Sequence, residues 1–519
     1  MALARSLSVA LVGVTPHVLE VEVDVSTGLP GFTLSALSDR VFKHVEHRLR
    51  SAFHNSGETW PTRRVTVSLS PATVPKSGSS FDLPIAVTLL AAAETVPSQR
   101  LEGLVLLGEL ALSGAVKPVT GVLPSVIGGL QQGCRRFVVP RANAREARLV
   151  PGAEVLAASS LAEICAWLRD EIDTAALEGE PDEEPLVAAP EVTDMADVVG
   201  QDRGRRAMEI AAAGGHHVLL SGPPGIGKTM LAERLPGILP DLTDSEALEV
   251  TAIHSVAGRL APGRPLVARA PFCAPHHSAT IAAIVGGGAG IAQPGAVSLA
   301  HRGVLFLDEA PEFNPRVLDA LRQPLESGRI TLARAGGIAE YPARFLLVLA
   351  SNPCPCAAGG RDASVDGCIC SPPARQRYQT RLSGPLRDRV DVVVTLDPVS
   401  KLVLAEGSRG EPSDVLRARV EAARDRARHR LRDSPWTTTG EVPGPLLRRR
   451  WPIAPAVLGP LSHAVGRRGL STRGIDRVLK VAWTLADLAG RDRPGADEVT
   501  EALALRSGDW TPRQIAFPA

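Results

Sequence analysis

The chain lacks the sequence features of membrane and secreted proteins. Among its 519 residues the longest apolar run lies near Leu83–Ala93, which is too short to span a bilayer, and the N-terminus does not resemble a signal peptide. Its seven cysteines are an odd number in a long chain, which favours free thiols or a metal site over a disulfide framework. We therefore expect a cytoplasmic globular protein, and its length indicates two or three domains.

Lysine, aromatic residues and excess positive charge are also scarce. The 57 basic residues barely exceed the 56 acidic ones, only six lysines occur, and aromatic residues make up 3% of the chain. So low an aromatic content leaves few platforms for base stacking. The net charge of +1 excludes nothing, because it combines segment 170–184, with eight acids and no basic residue, and segment 414–450, with ten arginines against five acids.

Composition and periodicity divide the chain into an α+β unit, an acidic linker, an α/β unit and a helical unit. Leu19–Val25 in the first unit has the two-residue period of a half-buried strand. Val304–Leu307 in the third unit is one of several continuous apolar runs, which are typical of a parallel sheet buried on both faces. The predicted bounds are 1–168, 169–193, 194–400 and 401–519, in that order, with a cysteine-rich insertion at 353–371.

The strongest motif predicts a phosphate site. It matches the pattern G-x-x-x-x-G-K-[ST], follows an apolar strand and opens a helix, which is the setting of a P-loop. Glycines let backbone N–H groups surround phosphate oxygens, the lysine adds charge for the β and γ phosphates, and the threonine hydroxyl can bind Mg²⁺. The residues are Gly222, Pro223, Pro224, Gly225, Ile226, Gly227, Lys228 and Thr229.

Two further apolar strands end in polar residues that suit nucleotide hydrolysis. Asp308 and Glu309 follow the strand Val304–Leu307. Because parallel sheets bind ligands at the carboxyl ends of their strands, we expect Asp308 to bind Mg²⁺ and Glu309 to polarise the attacking water. Asn352 ends another strand, where an amide can orient water and the γ-phosphate. The sequence therefore predicts a hydrolase that uses ATP and Mg²⁺.

Together these motifs resemble AAA+ ATPases, in which Asn352 stands at the position of the sensor-1 polar residue. Further segments are similar to the magnesium-chelatase-like branch and, over nearly the whole chain, to the ComM/YifB group. The resemblance implies a homo-hexamer with a P-loop AAA+ parallel-sheet core and a C-terminal helical lid, preceded by an α+β domain similar to the Lon protease. The segments are Gly200–Ala207, Pro275–Ser278, Val285–Gly288, Gly295–His301, Leu321–Gly328 and Asn352–Cys356.

The resemblance also implies two catalytic arginines. Arg389 stands in a segment similar to the one that carries the arginine finger, which would direct it at the nucleotide of a neighbouring subunit in a ring. Arg387 is a weaker competitor, because the family usually has leucine there. Arg473 stands at the position of the sensor-2 arginine, although a core helix capped by Ser471 explains the same pattern. Taken alone, either arginine could instead form a surface ion pair.

Four of the seven cysteines form a candidate metal site. Cys354 and Cys356 are separated from Cys368 and Cys370 by a segment rich in glycine and aspartate. Four thiolates from two turns suit tetrahedral Zn²⁺, which would hold this insertion together. Each pair has one residue between its cysteines instead of the usual two, so reduced or redox-active thiols remain the alternative.

The N-terminal unit resembles the Lon protease fold, but its catalytic pair is incomplete. Pro75–Ala86 and Gly108–Gly114 carry the resemblance, and Ser80 stands at the nucleophile position. Leu123 occupies the position of the lysine base that the serine requires. We therefore expect an inactive domain that serves assembly or substrate docking.

Two basic features indicate DNA as a partner. Residues 328–344 predict a hairpin with a basic tip, and it resembles the hairpin that this branch extends into the pore of its ring. The ten arginines of segment 414–450 either bind phosphates without sequence preference or form a helix face with internal ion pairs. His276 and His277 are adjacent on a loop, and we expect their rings to point in different directions near nucleotide or DNA.

Three functions fit these observations. The first, implied by the ComM/YifB resemblance, is a hexameric ATP-driven motor that moves single-stranded or branched DNA in recombination or natural transformation, as a helicase or branch-migration enzyme. The second is a magnesium-chelatase-like ATPase that remodels a protein partner, which the N-terminal unit disfavours. The third is an ATP-dependent peptidase, which Leu123 disfavours.

Overall fold

The computed structural model contains two large sheets followed by a bundle of helices. A seven-stranded sheet and a five-stranded sheet are accompanied by three two-stranded ribbons. The described residues are 2–35, 39–76, 80–179, 193–261, 263–288, 290–334, 337–356, 368–398, 409–468 and 470–508.

The N-terminal unit mixes strands and helices, as its alternating patterns predict. Its strands are β1 (Ala2–Val12), β2 (Thr15–Ser26), β3 (Gly31–Leu34), β4 (Arg64–Ser70), β5 (Leu104–Leu106), β6 (Glu109–Leu110), β7 (Val116–Lys117), β8 (Arg136–Pro140) and β9 (Glu154–Ala158). Its helices are α1 (Asp39–Asn55), α2 (Asp82–Ala92), α3 (Val122–Gln131), α4 (Ala144–Ala147), α5 (Leu161–Leu168) and α6 (Ala175–Glu178).

A mixed sheet in the order β3-β4-β2-β1-β5-β8-β9 organises this unit. Strand β2 pairs with β1 and β4 in antiparallel register, whereas β8 lies parallel to β5 and β9. Buried and less buried residues alternate along β2, which explains the two-residue period of its sequence. Helix α2 is buried along its whole length and packs on β1 and β2, so it forms the centre of the N-terminal core.

The second unit has the α/β architecture expected from its apolar runs. Its strands are β10 (Val218–Ser221), β11 (Phe272–Cys273), β12 (Gly286–Gly287), β13 (Gln293–Pro294), β14 (Val304–Leu307), β15 (Arg329–Arg334), β16 (Gly337–Pro342), β17 (Leu346–Ser351) and β18 (Val392–Thr395). Its helices are α7 (Asp202–Gly214), α8 (Lys228–Ile238), α9 (Asp244–Val256), α10 (Ile281–Val285), α11 (Ala296–Leu299), α12 (Pro315–Ala320), α13 (Arg322–Ser327), α14 (Pro372–Thr380) and α15 (Gly384–Arg387).

Five parallel strands in the order β11-β14-β17-β10-β18 form the sheet of this unit. Every residue of β14 and β17 is buried, which accounts for their continuous apolar sequences. Because the strands run in one direction, the residues that follow β10, β14 and β17 lie together at one edge, here called the carboxyl edge. The residues that precede the same strands lie at the opposite edge, here called the amino edge.

The C-terminal unit is helical and packs on the parallel-sheet unit. Helices α16 and α19 contact α7, and Val420 and Val478 join Met208 in one buried cluster. The helices are α16 (Ser413–Leu431), α17 (Gly444–Arg450), α18 (Gly459–Arg468), α19 (Thr472–Leu488) and α20 (Ala496–Ser507). Short 3-10 turns in the three units are Ser98–Leu101, Arg141–Asn143, Met195–Asp197, Ala310–Glu312, Thr439–Glu441 and Pro455–Leu458.

The arginines of segment 414–450 mostly stabilise this fold. Arg424 donates a hydrogen bond to the Ala212 carbonyl at 2.9 Å, and Arg430 forms an ion pair with the buried Asp487. Neither alternative describes the segment fully: Arg428 pairs with Asp425 within its helix, but most partners lie on other elements, so these guanidinium groups help to pack the helical unit. The arginines with a carbonyl or carboxylate partner in this chain are Arg417, Arg419, Arg424, Arg426, Arg428, Arg430, Arg432, Arg448 and Arg450.

The acidic segment is not a solvated linker throughout, which corrects the prediction for residues 169–179. Leu177 in α6 is fully buried in the N-terminal core. Arg148 donates to the Glu178 carbonyl at 2.8 Å, and Arg100 pairs with Asp170. One apolar side chain and several arginines thus attach this segment to the N-terminal unit, while the rest of the predicted linker, 180–192, lies outside the described residues.

The N-terminal unit contacts the parallel-sheet unit through α3 and α9. Glu146 is 6% exposed at this contact, where its carboxylate accepts hydrogen bonds from the Leu123 backbone N–H, at 2.9 Å, and from the Ser255 hydroxyl. The Gly121 N–H donates to the Ser255 carbonyl at 3.2 Å. Leu123 is completely buried, so the position where a Lon-type lysine was expected contributes to packing between the two units.

Candidate nucleotide-binding site

The predicted phosphate loop connects β10 to α8 at the carboxyl edge. Gly225 and Gly227 have φ angles of 73° and 96°, a left-handed conformation that favours glycine. A Cβ at either position would meet no other atom within 4 Å, so the loop is open on this side. Backbone N–H groups and the N-terminus of α8 can therefore approach an anion here, which fits the phosphates of a nucleotide.

The other residues of the loop differ in how far they are buried. A Cβ on Gly222 would lie 3.0 Å from the Leu396 carbonyl oxygen, so this position requires glycine for close packing. Pro224 is exposed, whereas Pro223 and Ile226 are partly buried. The loop therefore rests on the end of β18 and presents its glycines to solvent.

Lys228 and Asn352 meet beneath the loop, as the sequence predicts for two strands that end at one edge. The Lys228 ammonium donates to the Gly222 carbonyl at 2.7 Å, the Pro223 carbonyl at 2.9 Å and the Asn352 Oδ1 at 3.0 Å. Pairing of β10 with β17, which aligns Ser221 with Ser351, brings Asn352 to this place. Burial lowers the pKa of Lys228, although the carboxylates of the neighbouring β14 end oppose that effect.

Thr229 and Asp308 also come together, at the start of α8 and the end of β14. The Thr229 hydroxyl donates to Asp308 Oδ2 at 2.9 Å, and Asp308 Oδ1 accepts the Glu309 backbone N–H at 2.9 Å. A hydroxyl and a carboxylate are hard oxygen ligands, which suit Mg²⁺. The two residues predicted to bind the metal are therefore neighbours in space.

Glu309 lies beside a histidine whose role the sequence did not reveal. Its backbone has φ of 49°, an unusual left-handed conformation for a residue other than glycine, and its carboxylate is 3.6 Å from His277 Nδ1. The His276 and His277 ring centroids are 4.0 Å apart, which corrects the expectation that these rings point in different directions. His277 and Glu309 are far apart in the sequence, so no local pattern predicted this contact.

Arg389 does not lie at the site formed by the phosphate loop of its own subunit. It precedes β18 at the amino edge, and it is 6% exposed. Its guanidinium donates to the Pro385 carbonyl at 2.6 Å and pairs with the Glu326 carboxylate. Arg387, the competing candidate, is exposed and lines a neighbouring groove.

Arg473 is also at the amino edge. It is exposed at the start of α19, where the Ser471 side chain caps the helix, and it lines a cavity of about 680 Å³ between the helical unit and the sheet. Gly303 and Leu346, which adjoin the amino ends of β14 and β17, line the same cavity. The four residues predicted to be catalytic therefore do not form one site in one subunit: Glu309 and Asn352 lie at one edge of the sheet, and Arg389 and Arg473 at the other.

A buried ion pair joins the two segments that carry Arg389 and Arg473, and the sequence did not indicate it. Arg477, one helical turn after Arg473, donates to Asp391 Oδ1 at 2.9 Å, and Asp391 is 1% exposed two residues after Arg389. Burial alone would raise the pKa of Asp391, but Arg477 and the neighbouring His216 lower it well below its usual range. The i, i+4 spacing of two arginines was the available signal, but it carried no information about a partner 86 residues away.

The four clustered cysteines converge, as the zinc hypothesis requires. Their sulfur atoms all lie within 4.8 Å of one another. Cys354 Sγ is 3.3 Å from Cys356 Sγ and 3.6 Å from Cys368 Sγ, and Cys370 completes the group. Residues 357–367 between the two pairs lie outside the described part of the chain.

Three family models match the chain. A model of magnesium chelatase, subunit ChlI, matches residues 194–404, one of subunit ChlI of Mg-chelatase matches 21–143, and one of the ChlI C-terminal region matches 410–506. The chain therefore belongs to the magnesium-chelatase-like AAA+ family, with the P-loop AAA+ core and helical lid expected of that fold class. This membership supports an oligomeric remodelling ATPase that uses ATP and Mg²⁺.

Similar proteins narrow this assignment to the ComM/YifB group. An uncharacterized protein of Mycobacterium tuberculosis is 50% identical over 506 residues, which cover 98% of this chain and 99% of that protein. YifB of Escherichia coli is 42% identical over 506 residues, 96% of each chain. The competence protein ComM of Haemophilus influenzae is 39% identical over 513 residues, 98% of each chain. Among the described helices, none is long and apolar enough to cross a membrane.

Proposed function

We propose that this protein is a hexameric ATP-hydrolysing motor that acts on single-stranded or branched DNA in the cytoplasm, as a helicase or branch-migration enzyme in recombination or natural transformation. The observation that carries the proposal is the division of the hydrolytic residues between the two edges of one sheet. A subunit built in this way needs a neighbour to complete its nucleotide site.

The roles at the carboxyl edge follow from the contacts there. Lys228 supplies positive charge to the β and γ phosphates, and Thr229 and Asp308 provide oxygen ligands for Mg²⁺, which neutralises charge on those phosphates. Glu309 accepts a proton from the attacking water as general base. Asn352, held by Lys228, orients that water and the γ-phosphate without adding charge.

The amino edge supplies the arginines for the next subunit. Arg473 is exposed there, whereas Arg389 is 6% exposed and paired with Glu326, so Arg389 would have to leave that carboxylate to reach a neighbour. The Asp391–Arg477 ion pair holds together the segments that carry the two arginines. Repeated contact of this edge with the carboxyl edge of a neighbour is a head-to-tail interface, which closes into a ring. The family resemblance supports six subunits, and each arginine would stabilise charge on the nucleotide of its neighbour.

DNA contact is assigned to the hairpin β15–β16. Arg329 and Arg334 are exposed on it, and Ile338 is 65% exposed. Its base is fixed because Tyr341 is fully buried and donates to the Ala292 carbonyl at 2.6 Å. An anchored hairpin with exposed cations can follow a phosphate backbone without reading bases, which agrees with the scarcity of aromatic residues in the chain.

The competence protein among the relatives supports DNA as the substrate, and a protein partner remains the second candidate. The Haemophilus influenzae relative is named a competence protein, and it matches this chain over 98% of both lengths. The magnesium chelatase family models support the alternative of a remodelling ATPase that acts on protein. We further propose that the N-terminal unit is catalytically inactive, because Leu123 is buried where a lysine base would be needed.

We also propose that Cys354, Cys356, Cys368 and Cys370 bind one structural Zn²⁺. Tetrahedral coordination with Zn–S bonds of about 2.3 Å separates the sulfurs by about 3.8 Å. The sulfurs of Cys354, Cys356 and Cys368 are 3.3 to 3.6 Å apart, close to that value.

Hydrolysis and strand-displacement assays on branched DNA test the proposed function. Wild-type protein should hydrolyse ATP faster with branched DNA and displace a strand, and Lys228→Ala should lose both activities. Replacing Arg329 and Arg334 together by alanine should abolish the stimulation by DNA while a fluorescent ATP analogue still binds. Arg449→Ala, which removes an exposed arginine of the lid, is the matched control. Hydrolysis that DNA does not change, with nucleotide binding intact, would overturn the DNA assignment and favour a protein partner.

A further inference from the structure

The cysteine cluster lies between two parts of the nucleotide site. Cys354, which is 1% exposed, is two residues from Asn352 at the end of β17. On the other side, Cys370 is followed at once by α14, where Arg381 beyond its end pairs with Glu312 at 2.8 Å. The cysteines therefore bring together the two ends of the insertion between Asn352 and α14. Helix α14 then leads to Arg381, which contacts the chain just after Glu309.

Asn352 contacts this segment as well as the phosphate loop. Its side chain accepts from the Lys228 ammonium at 3.0 Å, and its carbonyl accepts from the Ser351 hydroxyl at 2.9 Å. Tyr378 on α14 is 3% exposed, and its hydroxyl lies close to the Asn352 backbone. Beyond these contacts, the eleven residues from 357 to 367 join Cys356 to Cys368, and closing such a segment costs conformational entropy unless a cross-link holds its ends.

We infer that the four thiolates bind a single Zn²⁺ whose function is to position Asn352 for ATP hydrolysis, with no part in binding the nucleotide. The inference rests on the proposed ATPase function and adds a metal centre that controls its turnover. The cysteines are positioning residues, because they act through Asn352 and the start of α14.

The sulfur geometry favours one metal ion over the other fates of four thiols. A disulfide bond requires about 2.0 Å between sulfurs, whereas the sulfurs of Cys354 and Cys356 are 3.3 Å apart. An iron–sulfur cluster of two or more irons needs room for bridging sulfides between its ligands, and sulfurs within 4.8 Å of one another leave room for a single ion. Thiolates without an oxygen ligand also select a soft ion, so this centre is chemically separate from the Mg²⁺ site.

Metal content and the separation of binding from turnover test the inference in the full-length protein. Elemental analysis should give about one zinc per chain in wild type, none in Cys356→Ser, and about one in Cys356→His, because imidazole also ligates zinc. In Cys356→Ser the kcat for ATP should fall about 10²-fold, the size expected for a misplacement near 1 Å, with affinity for a fluorescent ATP analogue unchanged. Cys356→His should recover most of the activity. Cys134→Ser, a buried thiol of the N-terminal unit, is the control.

Each outcome decides one part of the inference. Zinc well below one per chain in wild type, or iron in its place, overturns the metal assignment, and unchanged kcat in zinc-free Cys356→Ser overturns the positioning role. If Cys356→Ser does not fold, wild type reconstituted with Co²⁺ decides instead, because tetrahedral thiolate coordination gives charge-transfer absorption and its absence refutes the centre. A wild-type protein with zinc but no ATPase activity would refute the proposed function and the positioning role while leaving the metal centre established.

Discussion

Replacing Arg473 by alanine tests whether one subunit completes the nucleotide site of the next. The side chain is exposed at the amino edge, so its removal should leave the fold and the phosphate loop unchanged. If it donates to the charge that develops on a neighbour's nucleotide, its loss should lower kcat about 10²-fold, the usual cost of one such donor. The affinity of the same subunit for ATP should not change, because Lys228 lies at the other edge of the sheet.

Mixed rings give the sharper result. Lys228→Ala and Arg473→Ala subunits, each nearly inactive alone, are co-expressed in equal amounts with different tags and purified through both. In a ring filled at random, about one quarter of the interfaces pair an intact Lys228 with an intact Arg473 of the neighbour, so about a quarter of wild-type activity should return.

Action within one subunit predicts a different outcome. No subunit in the mixture has both residues, so the ATPase activity of the mixed rings would only equal the sum of the activities of the two nearly inactive parent proteins. That result would refute the assignment of Arg473 to a neighbouring nucleotide. Mixtures of Lys228→Ala with Arg449→Ala serve as the control, because an exposed lid arginine away from the cavity should leave the activity of its own subunits intact.

Three other expectations follow from the same structure. Glu309→Gln should retain bound ATP but lose turnover by about 10²- to 10⁴-fold, and hydrolysis at the native rate would remove Glu309 as the base. Burial lowers the pKa of Lys480 from 10.5 to about 8, because the folded state disfavours the charged ammonium. At pH 7 the free energy of unfolding of wild type should therefore be on the order of 3 kcal/mol below that of Lys480→Met. This difference should disappear as the pH rises from 8 to 10.5 and the lysine of the unfolded chain loses its proton. Denaturant titrations at pH 7.5 and 10 that show a constant difference would contradict this. Leu123→Ala at the contact of α3 with α9 should cost about 2 to 5 kcal/mol, measured by urea denaturation, and a change below 1 kcal/mol would argue against tight packing there.

Residues that follow buried strands were the predictable part of the site. Asp308 and Asn352 follow strands that end in polar residues, and Lys228 belongs to the phosphate-loop motif that follows β10. Parallel strands necessarily bring such ends to one edge. The cysteines were predictable for a different reason, because two closely spaced pairs on one insertion are a pattern typical of a metal site. For the strand ends, a short-range pattern and a known strand direction were sufficient.

Contacts between residues distant in the chain were not predictable. The segment 414–450 has the same composition whether its arginines face solvent or the carbonyl of Ala212, and only packing against α7 decides between them. Leu177 and nearby arginines dock residues 170–179 on the N-terminal unit, because one buried leucine and these cations offset the repulsion that the acidic composition alone suggests. His277 could be placed next to Glu309 only once β11 and β14 were paired.

The sequence by itself determined the family, and it predicted the phosphate loop, the Mg²⁺ ligands and the grouping of four thiols, since all of these depend on residue identity at fixed short spacing. The tertiary structure alone decided where Arg389 and Arg473 lie, because the edge of a sheet on which a residue falls depends on strand order and on the docking of the lid. Asp391, next to the sheet, and Arg477, on the lid, form a buried ion pair that holds the lid in this position. Under the proposed function, this arrangement makes the chain a subunit that shares its nucleotide site with a neighbour.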